Sequence, residues 1–253
     1  MKIFFGGEIL KRNILILITV CVLLISISYA SFSYASDKGR QYYEKTGQVL
    51  WDVKTDEKVI ALTFDDGPDP RYTSQILELL AKYDAKGTFF VLGKSAEKYP
   101  EVIKRQFNEG HEIANHTYSH VFKASGRRLQ EELKKTNDII YSITGYAPTL
   151  FRPVGGIYTD DIINTAYDSG YKVVIWSWHL DTLDWKNPGV RRIANKVLNG
   201  TSPGNVVLFH DGGGNRTQTV KALEIILPQL EKEGYKFVTI SELMGEKNPR
   251  ISK

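Results

Sequence analysis

Val59-Ile-Ala-Leu-Thr-Phe-Asp-Asp-Gly-Pro68 is the stretch on which the reading of this chain turns. Val59 to Phe64 is an apolar strand candidate, two acids follow it at once, and Gly67-Pro68 ends the run in a turn. Taken alone, Asp-Asp-Gly-Pro is ordinary turn chemistry. Directly after an apolar strand it also presents two carboxylates, and because neighbouring residues point in different directions, each can take a different partner.

Working outward, short β-rich runs alternate with helical patterns. The strand candidates are Val59–Phe64, Thr88–Leu92, Glu112–Asn115, Thr149–Arg152, Lys172–Trp178, Asn205–His210 and Lys236–Ile240. Between them lie amphipathic stretches at Thr73–Tyr83, Pro100–Glu109, Arg127–Ile143, Asp160–Ser169, Val190–Leu198 and Thr217–Glu233, several of them closed by a glycine. Such alternation implies a parallel sheet covered by helices, either open or closed as a barrel. Seven strand candidates favour an α/β fold of the distorted (β/α) barrel kind, with about seven parallel strands inside a layer of helices.

The ionisable residues fall at one place on that framework. Asp65 and Asp66 follow the first strand candidate, His116 and His120 the third, Arg152 ends the fourth, Asp181 and Asp184 follow the fifth, and His210 ends the sixth. In a (β/α) barrel these C-terminal ends converge on the face that carries the chemistry. His116-Thr-Tyr-Ser-His120 puts two imidazoles four residues apart, a spacing shared by metal sites and by ordinary surface or capping histidines. With Asp66 the set becomes two histidines and a carboxylate, which leaves an open coordination position for water, as in a catalytic zinc site.

Thr63-Phe-Asp-Asp-Gly-Pro68, His116-Thr-Tyr-Ser-His120, Phe151-Arg-Pro153, Asp181-Thr-Leu-Asp-Trp185 and Leu208-Phe-His210 resemble, in the same order, the five motifs of the NodB-type polysaccharide deacetylases, carbohydrate esterase family 4. The likeness spans roughly residues 58–243 and is most specific at the first two motifs. The resemblance implies a distorted (β/α) barrel that removes N-acetyl groups from an amino-sugar polymer, using one divalent metal ion, zinc or a similar ion such as cobalt. It implies Asp65 as general base, with Asp66, His116 and His120 as metal ligands. Arg152 would pair with Asp65 and Asp184 with His210, the general acid; Trp185 and Leu208 would line the pocket for the acetyl methyl group. A backbone N–H near Gly155 would steady the oxyanion. Family members commonly carry a second proline and an aromatic after Arg-Pro, whereas Val154, Gly155 and Gly156 stand here, which alters the expected sugar groove.

The N-terminus carries export grammar: Lys2, Lys11 and Arg12 precede an apolar run from Ile14 to Ile27, and Tyr34-Ala35 precedes Ser36. The run is shorter than the ~20 residues of a usual span, so residues 1–35 read as a cleaved signal peptide or an uncleaved signal anchor. Residues 36–57 read as a lead-in, 58–243 as the deacetylase domain and 244–253 as a tail. The expected location is extracellular or at the cell wall, with the membrane reached only through the N-terminal segment, and the expected state is a monomer. Cys21, the one cysteine, falls inside the apolar run, so a mature chain has no thiol for a disulfide or a metal. Of 33 basic and 29 acidic residues, three and one lie in 1–35, which leaves 30 and 28. So small an excess argues against nucleic-acid binding.

With no further binding module in view, the expected polymer is peptidoglycan, at its N-acetylglucosamine or N-acetylmuramic acid residues; chitin or chitooligosaccharide is the alternative. A non-catalytic carbohydrate-binding relative would be expected to lack Asp65 or a ligand, and all are present. A hydrolase of small amides gains some weight from the altered Arg-Pro segment, while a glycosidase needs no histidine metal site. Gly212-Gly213-Gly214 lacks the lysine of a phosphate loop and reads as a flexible loop after His210. His111 and His179 match no motif and read as structural, and Tyr118, Trp176 and Trp178 read as core aromatics before sugar contacts.

Overall fold

The computed structural model describes residues 38–246. The apolar run Ile14–Ile27, Cys21 and the boundary after Ala35 lie outside them, as does the tail from 247 onward. Among the described residues no helix is long and apolar enough to cross a membrane.

In chain order the elements are α1 (Arg40–Thr46), β1 (Val49–Leu50), β2 (Val59–Asp65), α2 (Tyr72–Lys82), β3 (Gly87–Val91), α3 (Gly93–Lys98), α4 (Pro100–Asn108), β4 (Glu112–Asn115) and α5 (Gly126–Thr144). After them come β5 (Leu150–Phe151), α6 (Asp160–Asp168), β6 (Lys172–Val174), α7 (Val190–Gly200), β7 (Val206–His210), α8 (Thr217–Lys232), β8 (Lys236–Phe237) and α9 (Ile240–Leu243). The strands pair in the order β1-β6-β5-β4-β3-β2-β7, with β8 added to β2, and every pair is parallel.

Alternation along β2 explains both layers of the fold. Ile60, Leu62 and Phe64 point outward and bury themselves against Ile76, Leu77 and Leu80 of α2 and Leu223, Ile226 and Leu227 of α8. Ala61 belongs to the second cluster, inside the curled sheet, with Trp51, Phe90, Ala114, Val206 and Leu208. Thr63 and Asp65 share that inward face, so a strand apolar for most of its length delivers a carboxylate to the barrel mouth.

The sheet curls until its two ends meet, which gives the distorted barrel. Asp52, just after β1, forms an antiparallel bridge with Asn205, and the Val53 N–H reaches the Gly204 carbonyl at 2.9 Å. Nearer the mouth, the Ser177 N–H bonds the Val206 carbonyl at 3.0 Å, and Asp181 bridges Leu208. Of residues 36–57, expected to precede the domain, the described part from residue 38 onward adds elements to the sheet and its cover. From Arg40 onward they supply α1 and β1, and Trp51 is fully buried between the sheet's ends.

Three expected strands are shorter than expected by two residues or more, and of these Thr149–Arg152 keeps only Leu150–Phe151. The run Lys172–Trp178 leaves the ladder after Val174, because the Val174 and Ile175 carbonyls turn to the Arg152 side chain. The run Lys236–Ile240 ends at Phe237, because Thr239 and Glu242 form a capping box that starts α9.

Candidate active site

Asp65 ends β2 facing inward and is 3 % exposed. Beside it Arg152, just after β5, has no exposed surface, so its guanidinium must find every partner inside the protein. Nη1 donates to Asp65 Oδ1 at 2.7 Å and to Thr63 Oγ1 at 2.9 Å. Nε and Nη2 donate to the carbonyls of Val174 and Ile175 at 3.1 and 2.6 Å, and the group lies 4.0 Å over the Phe90 ring. Burial pushes Arg152 below its ordinary pKa against the pull of Asp65. A guanidinium nevertheless stays charged, so the pair fixes one face of the Asp65 carboxylate.

Asp66, with φ 74°, turns the other way. Its Oδ1 lies 3.1 Å from His120 Nε2 and 3.5 Å from His116 Nε2. That oxygen is buried, and despite the short distance to His120 no contact around it has the direction of a hydrogen bond. His116 Nδ1 meets the Arg152 carbonyl at 2.7 Å. A carbonyl only accepts, so Nδ1 carries the proton and Nε2 turns a lone pair towards Asp66. One ligand atom from each of Asp66, His116 and His120 lies within 4.8 Å of the others, and the three could hold a metal ion. The buried Asp66 oxygen without a hydrogen bond and the tautomer of His116 both fit such an ion.

The electrostatics follow from this crowding. Burial would raise the Asp66 pKa, but the contact with His120 and the charges of His116, His210 and His120 hold it down at about 2. Burial lowers His116 against the opposing pull of Asp65 and Asp66, while His120 is raised by its contact with Asp66.

His210 ends β7 on the far side of the pocket. Its Nδ1 bonds Asp184 Oδ1 at 2.7 Å, and its backbone N–H donates to Asp184 Oδ2 at 2.9 Å. The Thr219 hydroxyl donates to that same oxygen at 2.7 Å. Burial alone would lower the His210 pKa; the bond to Asp184 and its charge, with Asp65 and Asp66 behind it, raise it to about 9. Asp184 moves down, as its bond to His210 overcomes burial.

These groups share one cavity of about 390 Å³, whose walls include Trp176, Trp185, Leu208, Phe122, Gly155, Asp181 and Arg216. Every residue named from the sequence as acid, base, ligand or pocket wall is thus in or against one chamber. Asp181 lines it with Oδ1 turned to the Leu183 N–H at 3.0 Å. A larger depression of about 670 Å³ beside α7, lined by His179, Arg191, Arg192 and Lys196, contains none of them.

The structure adds residues that the sequence did not single out. Phe122 is 57 % exposed, sits edge-on to His120 with ring centroids 5.2 Å apart, and lies 3.2 Å from where a Cβ at Gly155 would be. A side chain at Gly155 would therefore press on the Phe122 ring, which would have to shift by a few tenths of an ångström. Asp211 is fully buried under the Asp65-Asp66 turn, accepting from the Gly67 N–H at 3.1 Å and the Thr73 hydroxyl at 2.6 Å, and burial raises it to about 7. Its place right after His210 was a signal available in the sequence; Phe122 carried none. Of the Gly212–Gly214 stretch, expected as a flexible loop, Gly212 packs against the Asp66 backbone, where a Cβ would fall 2.2 Å from the Asp66 carbonyl oxygen, and Gly213 lies against the Asp66 side chain. His111 accepts from the Gly87 N–H at 3.1 Å, and His179 Nε2 lies 3.1 Å from the Gly200 carbonyl, both away from the cavity. Trp176 is buried yet lines the cavity, and Trp178 is 46 % exposed.

Residues 52–174 match the polysaccharide deacetylase family model. A peptidoglycan-N-acetylglucosamine deacetylase of Bacillus cereus is 47 % identical over 214 residues, which cover 83 % of this chain and 99 % of that protein. A crystal structure of a peptidoglycan N-acetylglucosamine deacetylase in complex with 4-naphthalen-1-yl-N-oxidanyl-benzamide superposes with a TM-score of 0.77 at 37 % identity, covering 81 % of this chain and 97 % of that one. A family 4 acetyl xylan esterase from Clostridium thermocellum, in complex with a cobalt ion, reaches 0.68 at 34 % identity, covering 78 % and 97 %. With the barrel, the ordered motifs and this degree of identity in agreement, the chain belongs to the NodB-type polysaccharide deacetylases of carbohydrate esterase family 4, and it is an enzyme of that class.

Proposed function

We propose that this enzyme removes the acetyl group from N-acetylglucosamine residues of peptidoglycan. The observation that carries the reading is the meeting, in one cavity of about 390 Å³, of an arginine-clamped carboxylate, a His-His-Asp cluster and a histidine held by a buried aspartate. The substrate rests on the relatives, two of which are named for peptidoglycan N-acetylglucosamine.

Asp66, His116 and His120 would hold a divalent ion, and zinc suits a two-histidine, one-carboxylate set with an open position. Held there, the ion supplies Lewis acidity that stabilises negative charge on oxygen. Asp65 takes the proton of the attacking water. Arg152 keeps the carboxylate aimed with one oxygen bonded and the other free for that proton. His210, protonated because Asp184 holds its Nδ1–H, gives the Nε2 proton to the departing sugar amine. A backbone N–H near Gly155 meets the oxyanion, and Leu208 and Trp185 enclose the acetyl methyl group. Phe122 and Trp185, 57 % and 49 % exposed, offer aromatic faces at the rim for the sugar ring.

The N-terminal residues support export: the chain would begin near Ser36 after cleavage, or stay anchored by residues 1–35, and would act on the cell's own wall as a monomer. Sequencing the N-terminus of the extracellular fraction separates the two forms. Acetate release from purified peptidoglycan, chitooligosaccharides and small N-acetylated amides tests the substrate. Release from peptidoglycan with loss of acetyl from glucosamine is expected; release from small amides alone would mark a different hydrolase, and no release from any would sink the reading.

A further inference from the structure

The segment Thr117-Tyr118-Ser119 joins His116 to His120, and its backbone is not self-supporting. Thr117 has φ 71° and His120 φ 58°, both in the left-handed region that residues with side chains rarely adopt. Such a turn exposes consecutive N–H groups that point the same way and must find an acceptor, or its geometry relaxes.

Three neighbours meet those needs, the first being Asn115, whose Oδ1 accepts from the Thr117 N–H at 2.9 Å. The carbonyls of Thr117 and Tyr118 accept from the Gly93 and Lys94 N–H groups at the start of α3, both at 3.0 Å. The N–H groups of Tyr118 and Ser119 both donate to one oxygen of Glu132, Oε2, at 2.8 Å each. The Ser119 hydroxyl donates to its other oxygen, Oε1, at 2.7 Å. Glu132 reaches across from the first half of α5, takes no part in the cavity wall, and spends its carboxylate on this segment. An anion matched to a pair of adjacent backbone N–H groups is a strong acceptor, since each bond is charge-assisted.

We propose that Glu132 is the positioning residue of the metal centre. Asn115 and the start of α3 hold Thr117, and Glu132 holds Tyr118 and Ser119, the half of the turn that leads into His120 and sets it beside Asp66, so that the cluster is shaped before an ion arrives. This rests on the reading of Asp66, His116 and His120 as the ligand set. Partners that hold ligands in place typically change metal affinity by about 10- to 100-fold when removed. Glu132 serves the ligand-bearing backbone instead of a ligand ring, and the same scale applies. Because the carboxylate lies outside the cavity, its loss should appear first in metal affinity and only through it in turnover.

The test uses the folded protein stripped of metal and titrated with zinc against a chromogenic chelator, comparing wild type, Glu132→Gln and Glu132→Ala. Glu132→Ala should weaken zinc binding by about tenfold or more. Glu132→Gln keeps an oxygen for the two N–H groups and should fall between. The thermal midpoint of the metal-free protein should stay close to wild type, and turnover of Glu132→Ala should recover at saturating zinc. Wild-type zinc affinity in Glu132→Ala, or a lowered metal-free midpoint with affinity intact, overturns the inference and leaves a merely structural carboxylate. If Glu132→Ala does not fold, Glu132→Gln decides on affinity alone. Failure of the wild-type protein itself to take up zinc would overturn the ligand set, a result distinct from failure of the variants.

Discussion

The two mouths of the barrel both bury carboxylates, and they treat them in opposite ways. At the N-terminal mouth, Glu112 is 3 % exposed and accepts from the Thr88 hydroxyl at 2.9 Å, from the Ser241 N–H at 3.2 Å and from the Ser241 hydroxyl. The start of α9 closes over it, with the Ile240 N–H on Thr88 Oγ1 at 2.9 Å. At the C-terminal mouth, Asp66 keeps a buried oxygen with no hydrogen bond, surrounded by the rings of His116 and His120. A saturated buried carboxylate behaves as structure, whereas one left short of partners needs another reason to persist, which a bound ion would supply. The contrast separates a plug from a working site without reference to sequence.

Substitutions at the working mouth should give the largest effects. Asp65→Asn keeps the shape of the side chain but removes the proposed base. Acetate release should fall by at least about 10², the usual worth of general base catalysis, while zinc affinity holds. Asp66→Asn should lose both affinity and rate, with part of the rate restored by excess zinc. Metal occupancy and acetate release measured together decide this: loss of metal in Asp65→Asn with retention in Asp66→Asn would reverse the two roles.

An intermediate effect belongs to the His210–Asp184 pair and appears as pH dependence. His210 is raised from 6.5 to about 9 in the fold, so its charged form, and the stability that form contributes, is fully present below about 6.5 and lost as pH rises through about 9. In its proposed role of general acid it must be protonated, so the alkaline limb of kcat/KM should lie at or below about 9; an ion at Asp66 would cancel one of the charges that raise it. Asp184→Asn removes the principal group holding His210 up, and the limb should move to lower pH. An unmoved limb would mean that another group titrates there.

The smallest effect should come from the plugged mouth. Burial raises the Glu112 pKa against the bonds from Ser241 and Thr88, so its ionised form is disfavoured in the fold, and this site costs stability as pH rises through its folded value. Glu112→Gln removes that dependence and should leave turnover within about twofold, since no cavity group touches it. Glu112→Ala leaves the Ser241 N–H without its acceptor and should cost about 1–3 kcal/mol, read by denaturant unfolding. A loss of activity in Glu112→Gln comparable to that of Asp65→Asn would erase the distinction between the mouths.

Much of this was legible in the chain because its signals are local. Strand-helix alternation gave the parallel sheet, and the α2, α4, α5, α6, α7 and α8 patterns lie within two residues of the helices observed. Asp65, Asp66, His116, His120, Arg152 and His210 declared themselves by standing at strand ends, since a parallel barrel gathers those ends on one face. What the local pattern did not hold was partnership at a distance. Arg152 reaches Asp65 across 87 residues and holds two carbonyls where the chain leaves the sheet, so the apolar run at Lys172–Trp178 stays a strand only as far as Val174. Trp51 and β1 looked like a lead-in, because two residues of strand have no periodicity to read, yet they help to join the ends of the sheet. Glu132 looked like any exposed charge on an amphipathic helix, and Phe122 like any loop aromatic. Composition and spacing determine which groups are available and which way each element faces. Only the packed structure decides which buried polar atom finds a partner and which is left waiting, because that depends on contacts between residues far apart in the chain.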